Sequence, residues 1–158
     1  MDNKEIIEVL IKDENFETTV AILENKEAFC NKIADDFIIE LGNKAKDLGY
    51  SYSFKGNSRI EISNGRWFFV IAKYPRNGQY WRGIEVDSKT KIKPDKENFF
   101  GGDSNCNLNY PIGWNYYEGK RGYWNSLETI REMRNGSFPD DILEEVKSAF
   151  ERMDKLYK

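Results

Sequence analysis

Residues 59–87 read RIEISNGRWFFVIAKYPRNGQYWRGIEVD. Two Asn-Gly pairs, Asn64-Gly65 and Asn77-Gly78, divide this stretch into three runs rich in β-branched and aromatic residues. Asn-Gly is the strongest short-range hairpin signal, because a tight hairpin turn needs positive φ at its central residues. The stretch therefore reads as an antiparallel meander. With two-residue turns, Ile62 faces Trp67 and Ile60 faces Phe69 across the first. Across the second, Ile71 faces Ile84 and Phe69 faces Val86. Directly paired residues share a face, so one face carries Ile60, Ile62, Trp67, Phe69, Ile71, Ile84 and Val86, and this is the expected core face. The opposite face carries Arg59, Glu61, Phe68, Val70, Ala72, Tyr74, Trp81, Gly83, Glu85 and Asp87. It is amphipathic, either partly covered or a contact surface.

Working outward, YSYSF (50–54) alternates ring and serine and reads as a strand before the first hairpin. Residues 110–117 read as a further strand after a polar segment, 88–109, that is long for a connection in a compact domain. Upstream, Phe29, Ile33, Phe37 and Leu41 recur every fourth residue, widened by Ala34, Ile38, Ala45 and Leu48. This predicts a helix over 26–48, entered at Asn25 and stopped by Gly49. Residues 3–11 read as a short helix and 16–23 as a short strand or helix extension. Downstream, Asn125 with Glu128 fits a capping box, with Ser126 as the other candidate cap, for a helix to about residue 134. Ser137 with Asp140 fits a second box, for a helix to about 156 that buries Ile142, Val146, Phe150 and Met153. The expected class is α+β: an N-terminal long helix packed on an antiparallel meander of four to five strands, followed by two C-terminal helices. One domain is expected over 1–158, with 1–24 as an acidic N-terminal extension.

Composition removes several chemistries. The chain has no histidine, which excludes Ser-His-Asp and Cys-His catalysis and histidine-zinc sites. Its two cysteines, Cys30 and Cys106, are too few for a four-cysteine zinc site and suggest no disulfide framework. Cys30 is expected to be a small buried apolar residue. No run approaches the ~18 apolar residues of a membrane span, and MDNKEIIEVL places acids where a signal peptide has bases. A soluble, cytoplasmic protein is expected. Net charge is −3 but uneven: residues 1–43 carry −7, 44–134 carry +6 and 135–158 carry −2. A basic middle suits an anionic partner, unless the acidic ends pack on it.

Three kinds of site are conceivable. Glu61, Glu85 and Asp87 share the non-core face, but the expected register puts Phe68 between Glu61 and Asp87. Their backbones are then ~10 Å apart, whereas a magnesium ion needs its ligand oxygens at ~2.1 Å. Asp87-Ser88-Lys89 matches the short acid-x-lysine element of metal-dependent nucleases, which would make Glu61, Asp87 and Lys89 a nuclease site. No phosphate-binding glycine loop occurs: GNKAKDLG (42–49) spaces its glycines too widely. The third kind is a ring-and-base surface. Tyr74, Arg76, Tyr80, Trp81 and Arg82 flank the second hairpin, and Lys89, Lys91, Lys93 and Lys96 line the polar segment. YPIGWNYYEGKRGYW (110–124) adds Trp114, Tyr116, Tyr117, Lys120, Arg121, Tyr123 and Trp124. Interleaved rings and bases suit single-stranded nucleic acid; the same residue types form protein hot spots. The bland alternative is that most of these rings complete the core. Within 110–124, Ile112 and Trp114 are assigned to packing, and the turn 119–122 with Tyr117 and Tyr123 to the surface.

The YWRGIEVD strand (80–87), YPIGW (110–114) with the Trp-containing turn after it, and WNSLETIREMRNGSFPDDILEEV (124–146) together resemble a known region. It is the accessory region that follows the catalytic core in some PD-(D/E)XK-type nuclease-family proteins of bacteria and phages. The resemblance covers residues 66–155 and reaches no catalytic residue, so it implies a non-catalytic recognition module. In size and lack of catalytic constellations the chain is also similar to phage-encoded inhibitors of bacterial defence nucleoproteins, such as anti-CRISPR proteins. The expectation is a non-enzymatic binding protein without cofactor or metal, docking on a protein or ribonucleoprotein partner. The partner-binding candidates are Tyr74, Arg76, Tyr80, Trp81, Arg82, Lys89, Lys91, Lys93, Tyr117, Lys120, Arg121 and Tyr123. The alternatives are a nucleic-acid-binding module using the basic middle and a metal-dependent nuclease.

Overall fold

A computed structural model of the chain describes residues 3–56, 58–74, 78–86 and 111–157, with backbone alone at Tyr74, Val86, 111–114 and Asn135. The elements run α1 (Asn3–Leu10), α2 (Asp13–Glu24), α3 (Lys26–Asp47), β1 (Ser51–Phe54), β2 (Arg59–Ser63), β3 (Trp67–Tyr74), β4 (Gln79–Val86), β5 (Pro111–Tyr116), α4 (Leu127–Asn135) and α5 (Phe138–Leu156). A 3-10 turn, Gly119–Arg121, lies between β5 and α4. The class is α+β, with one antiparallel sheet in the order β1-β2-β3-β4-β5. Among the described residues three helices precede the sheet: α1 where a short helix is expected over 3–11, α3 where the long helix is expected over 26–48, and α2 where 16–23 reads as a short strand or helix extension. The polar segment 88–109, with Lys89, Lys91, Lys93 and Lys96, lies outside the described residues, as do Arg76 and Asp87. Among the described residues no helix is long and apolar enough to cross a membrane.

The meander forms, but each hairpin closes one pair later than a two-residue turn would. Ile62 pairs with Phe69 and Ile60 with Ile71, while Phe69 pairs with Ile84 and Trp67 with Val86. The cause at the first turn is the Asn64 side chain. Its Oδ1 accepts from the amides of Arg66 (3.1 Å) and Trp67 (3.0 Å), while Ser63 Oγ accepts from Gly65 N–H at 3.0 Å. An asparagine turned onto its own backbone takes these amides out of the ladder, so pairing starts at Ser63 and Phe68. Gly65, at φ +92°, supplies the left-handed residue that the loop needs. At the second turn the ladder starts at Tyr74 and Gln79. Pro75 has no N–H to contribute to a longer ladder. A slip of two residues leaves every side chain on its original face. Ile60, Ile62, Trp67, Phe69, Ile71 and Ile84 are accordingly all fully buried.

That face is covered by α3 and α5. The buried side of α3 is Cys30, Ala34, Phe37, Ile38, Leu41, Gly42 and Ala45. Of the expected stripe, Ala34, Phe37, Ile38, Leu41 and Ala45 are buried and Ile33 partly so, and Cys30 is buried as expected; the two ends, Phe29 and Leu48, are exposed. Gly42 lets α3 come close to the sheet, since a Cβ there would sit 2.9 Å from the Tyr52 ring. α5 buries Phe138, Ile142, Val146, Phe150 and Met153 among others, and Trp67 Nε1–H donates to Asp154 Oδ1 at 2.8 Å. Neither expected capping box forms. The cap of α4 is Ser126, which accepts from Thr129 N–H at 3.1 Å, and Ser137 Oγ donates to Asp141 Oδ2 at 2.8 Å, one residue beyond the expected Asp140.

The densest contact of the core is a group of rings around Phe138. It stacks on Phe37 (centroids 5.1 Å apart) and meets Tyr117 (5.2 Å) and Tyr80 (6.2 Å) edge-on. Phe138→Ala is expected to cost about 3–5 kcal/mol, the range for emptying a buried ring position. Urea unfolding of the variant against the parent chain measures it.

Candidate functional site

The ring-and-base candidates separate sharply once the sheet is built. Tyr80 is fully buried and Tyr117 nearly so. Both are core rings, not surface ones, which corrects their assignment to the partner-binding surface. Tyr80 Oη donates to Met133 Sδ at 3.3 Å. Tyr117 Oη donates to Glu145 Oε2 at 2.8 Å. Burial pushes both phenols well above the usual tyrosine range; the charge of Asp35 adds to the effect at Tyr80 and that of Glu145 at Tyr117.

Arg82 and Arg121 are tied into the fold as well. Arg82 Nε donates to Glu145 Oε1 at 2.5 Å and Nη1 to the Tyr116 carbonyl at 3.0 Å, with the guanidinium 4.2 Å from the Tyr117 ring. Arg121 Nη2 donates to Glu132 (3.1 Å), Ser137 (3.1 Å) and Asp141 (2.6 Å), and its guanidinium lies 4.8 Å from the Phe138 ring. Strand parity carries the signal for two of these four. Once Ile84 is placed on the core face, Arg82 and Tyr80 must follow it at steps of two. Tyr117 and Arg121 offer no such pattern. The 117–124 turn folds back along the start of β4, with Tyr80 N–H donating to Gly122 O (3.0 Å) and Trp124 N–H to Gly78 O (2.9 Å). That placement is tertiary.

Two candidates of this turn remain outside: Lys120 is exposed and Tyr123 half-exposed. Trp124 is buried beneath the Lys73 ammonium, which lies 5.1 Å from its ring centroid and pairs with Asp35. Trp81 is half-buried on the opposite face of the sheet. Tyr74 closes the β3–β4 ladder. Ile112 and Trp114 lie on β5, Trp114 in register with Gly83; their assignment to packing concerns side chains outside the description.

The carboxylate candidates meet an arginine. Rows across the sheet run Arg59–Ala72–Trp81, Glu61–Val70–Gly83 and Ser63–Phe68–Glu85. Ala72 and Gly83 are small, so long side chains can cross the middle strand above them. Arg59 Nη2 donates to Glu61 Oε1 at 2.8 Å and to Glu85 Oε2 at 2.5 Å, and its guanidinium sits 5.7 Å from the Trp81 ring. The guanidinium holds the position between the two carboxylates that a cation would take. Among the described residues no cluster of three or more acids or cysteines could hold a metal ion. Burial pushes the Glu85 carboxyl above its usual range, against the pull of Arg59.

No protein-family model, curated protein or solved structure matches the chain.

A surface that the ring-and-base reading passes over lies at the other end of the molecule. α1 and α2 contain no buried residue. Ile7, Phe16, Ile22 and Leu23 are exposed on them and Ile11 between them, as is Phe29 on α3. The two helices hold each other through polar contacts: Asn15 Nδ2 donates to Val9 O at 3.0 Å, and Thr19 Oγ1 to Leu10 O at 3.0 Å. Helices of 8 and 12 residues are below the ~12–15 residues at which even good helix formers become marginal alone. Burying one large apolar side chain is worth ~1.5–3 kcal/mol, so this patch keeps a large interaction free energy in reserve. Its sequence signal was present as apolar residues interleaved with the acids of 1–24.

Arg59→Ala leaves Glu85 half-buried without its counter-charge, while Glu61 keeps Lys55 at 3.8 Å. A loss of about 1–3 kcal/mol is expected at neutral pH, below the range for a fully buried pair because water still reaches the site. The unpaired Glu85 carboxyl, already raised by burial, titrates higher when folded than when unfolded. Its penalty is therefore complete above the folded pKa and disappears as it protonates. Urea unfolding at neutral pH and at about pH 4 should show the loss in the first condition and its shrinkage in the second.

Proposed function

We propose that this chain is a non-enzymatic binding protein that docks on a protein or nucleoprotein target. The observation that carries the proposal is the α1–α2 pair: ordered helices, no buried residue and an uncovered apolar surface. Exposed apolar area gathered in one place marks interaction sites in general. The likeness in size and chemistry to phage inhibitors of defence nucleoproteins makes a bacterial defence complex the first target to try. The resemblance of residues 66–155 to a nuclease accessory region points the same way, toward recognition.

A second reading, nucleic-acid binding, is favoured by one observation: Lys120 and Tyr123 are both outward on one turn of the +6 segment. Arg121 does not belong in its test, because its salt bridges hold the turn to α4 and α5. Lys120→Ala with Tyr123→Ala probes it cleanly, and affinity governed by this turn falls steeply with salt.

The deciding experiment is affinity capture from a lysate containing defence complexes, with and without prior nuclease treatment. The parent chain is compared with Phe16→Ser/Leu23→Ser. A protein partner is expected to survive nuclease treatment and to lose at least about tenfold in affinity in the variant, with unfolding unchanged because neither residue is buried. Recovery of nucleic acid alone, lost on treatment, would overturn the docking proposal and promote the second reading.

A further inference from the structure

The buried stripe of α3 does not stop where the fold stops. Phe16, Val20, Leu23, Glu27, Cys30, Ala34, Phe37 and Leu41 follow one another at alternating steps of four and three. That is the 3.5-residue repeat of a coiled-coil seam, with Val20, Glu27, Ala34 and Leu41 at a positions and Phe16, Leu23, Cys30 and Phe37 at d. The phase is continuous across the single-residue break between α2 and α3. Asn25 N–H donates to Ala21 O at 3.1 Å, closing α2, and Phe29 N–H to Asn25 O at 2.9 Å, opening α3, with Asn25 itself at φ −99°, ψ 11°. From Cys30 onward the seam is buried in the chain's own core. Glu27, exposed, marks the edge. Beyond it the seam is exposed at Phe16 (49%) and Leu23 (67%), with Val20 between them partly buried. α1 is tied to α2 through Asn15 and Thr19.

We infer that the seam of α2, flanked by α1, receives a helix from a partner protein whose apolar stripe is bordered by lysine or arginine. The inference rests on the docking reading and specifies the partner's chemistry. Residues 3–24 carry six acids against two bases. Glu17 and Glu24 occupy the e edge beside the seam, where charge selects the partner, while Lys12, Thr19 and Lys26 occupy the g edge, so the acids dominate one side. Anionic lipid is disfavoured, because helices that lie on membranes carry Lys and Arg on their polar face. Nucleic acid is disfavoured by the same sign. A second copy of residues 3–24 would bring two segments of net charge −4 together. α2 is ~18 Å long at 1.5 Å per residue, room for about three turns of a docked helix.

The test uses the full chain and two synthetic helical peptides of about three heptads, each with leucine at a and d. One carries lysine at e and g, the other glutamate. Fluorescence anisotropy should show the lysine peptide binding at least about tenfold more tightly than the glutamate peptide, and more weakly as salt rises. Val20→Asp and Leu23→Asp should each weaken it by about tenfold or more. Ile22→Asp, exposed but off the seam, should leave it unchanged. Far-UV circular dichroism confirms that all three variants remain folded. Equal binding of both peptides, no binding, or an Ile22→Asp loss matching that of Leu23→Asp would overturn the inference. So would concentration-dependent self-association in sedimentation equilibrium, which assigns the seam to a second copy, or binding to phosphatidylserine vesicles, which assigns it to lipid. In the lysate capture, the two proposals fail differently. A partner retained by Leu23→Asp but lost through another surface overturns the seam and leaves docking standing. No protein partner at all overturns docking.

Discussion

The contact on which the rest of the structure depends is the packing around Phe138. Its ring stacks on Phe37 of α3, meets Tyr80 of β4 and Tyr117 after β5, and lies under the Arg121 guanidinium. One side chain at the start of α5 thereby joins the long helix, the sheet, the returning turn and the last helix. Aromatic pairs in edge-on and offset geometries add to the area they bury, so this cluster ties together the elements that it touches.

Three cations of the sheet are partnered in a consistent way, while Trp124 Nε1 is buried without a hydrogen-bond partner. Arg82, Glu145 and Tyr117 form one connected set, with the guanidinium also against the Tyr117 ring. Lys73 pairs with Asp35 and lies over Trp124. Arg59 bridges Glu61 and Glu85 beside Trp81. In each case a long cation reaches an aromatic face and a carboxylate together. This recurring device explains why a chain with many rings and bases need not present them to a ligand. The rings are a low-polarity wall, and acids of the helices, or for Arg59 of the strands, supply the counter-charges. The uneven charge of the sequence is partly resolved internally in this way, through Glu145, Asp141 and Asp35.

Much of the fold was legible. The two Asn-Gly pairs and the period-two runs gave the strands, their order and the core face, because a hairpin's connectivity and its alternation are both local properties. The pairing partners were off by two residues, since Asn64 folds its side chain onto the backbone and enlarges the turn. The faces survived because two is the repeat of a strand. The α3 stripe was read in phase but too long: Phe29 and Leu48, at its two ends, fit the i+4 spacing and are exposed. Of the candidate surface, Tyr80 and Arg82 could have been moved inward by parity with Ile84. Tyr117 and Arg121 could not, because they sit in a turn without periodicity.

The sequence by itself determined the α+β class, the antiparallel meander and the apolar face of the sheet, since these follow from steps of two and of three to four residues along the chain. It also showed an acidic N-terminal segment containing apolar residues. Only the tertiary structure decided which apolar residues find cover. Phe37 and Leu41 are buried and Phe16 and Leu23 are exposed although all four lie on one seam. The periodicity specifies a stripe but not where the neighbouring helices end. The same reason holds for the rings. Composition counts aromatic and basic side chains, whereas burial depends on contacts between residues far apart in the chain, such as Tyr117 with Phe138 and Arg82 with Glu145.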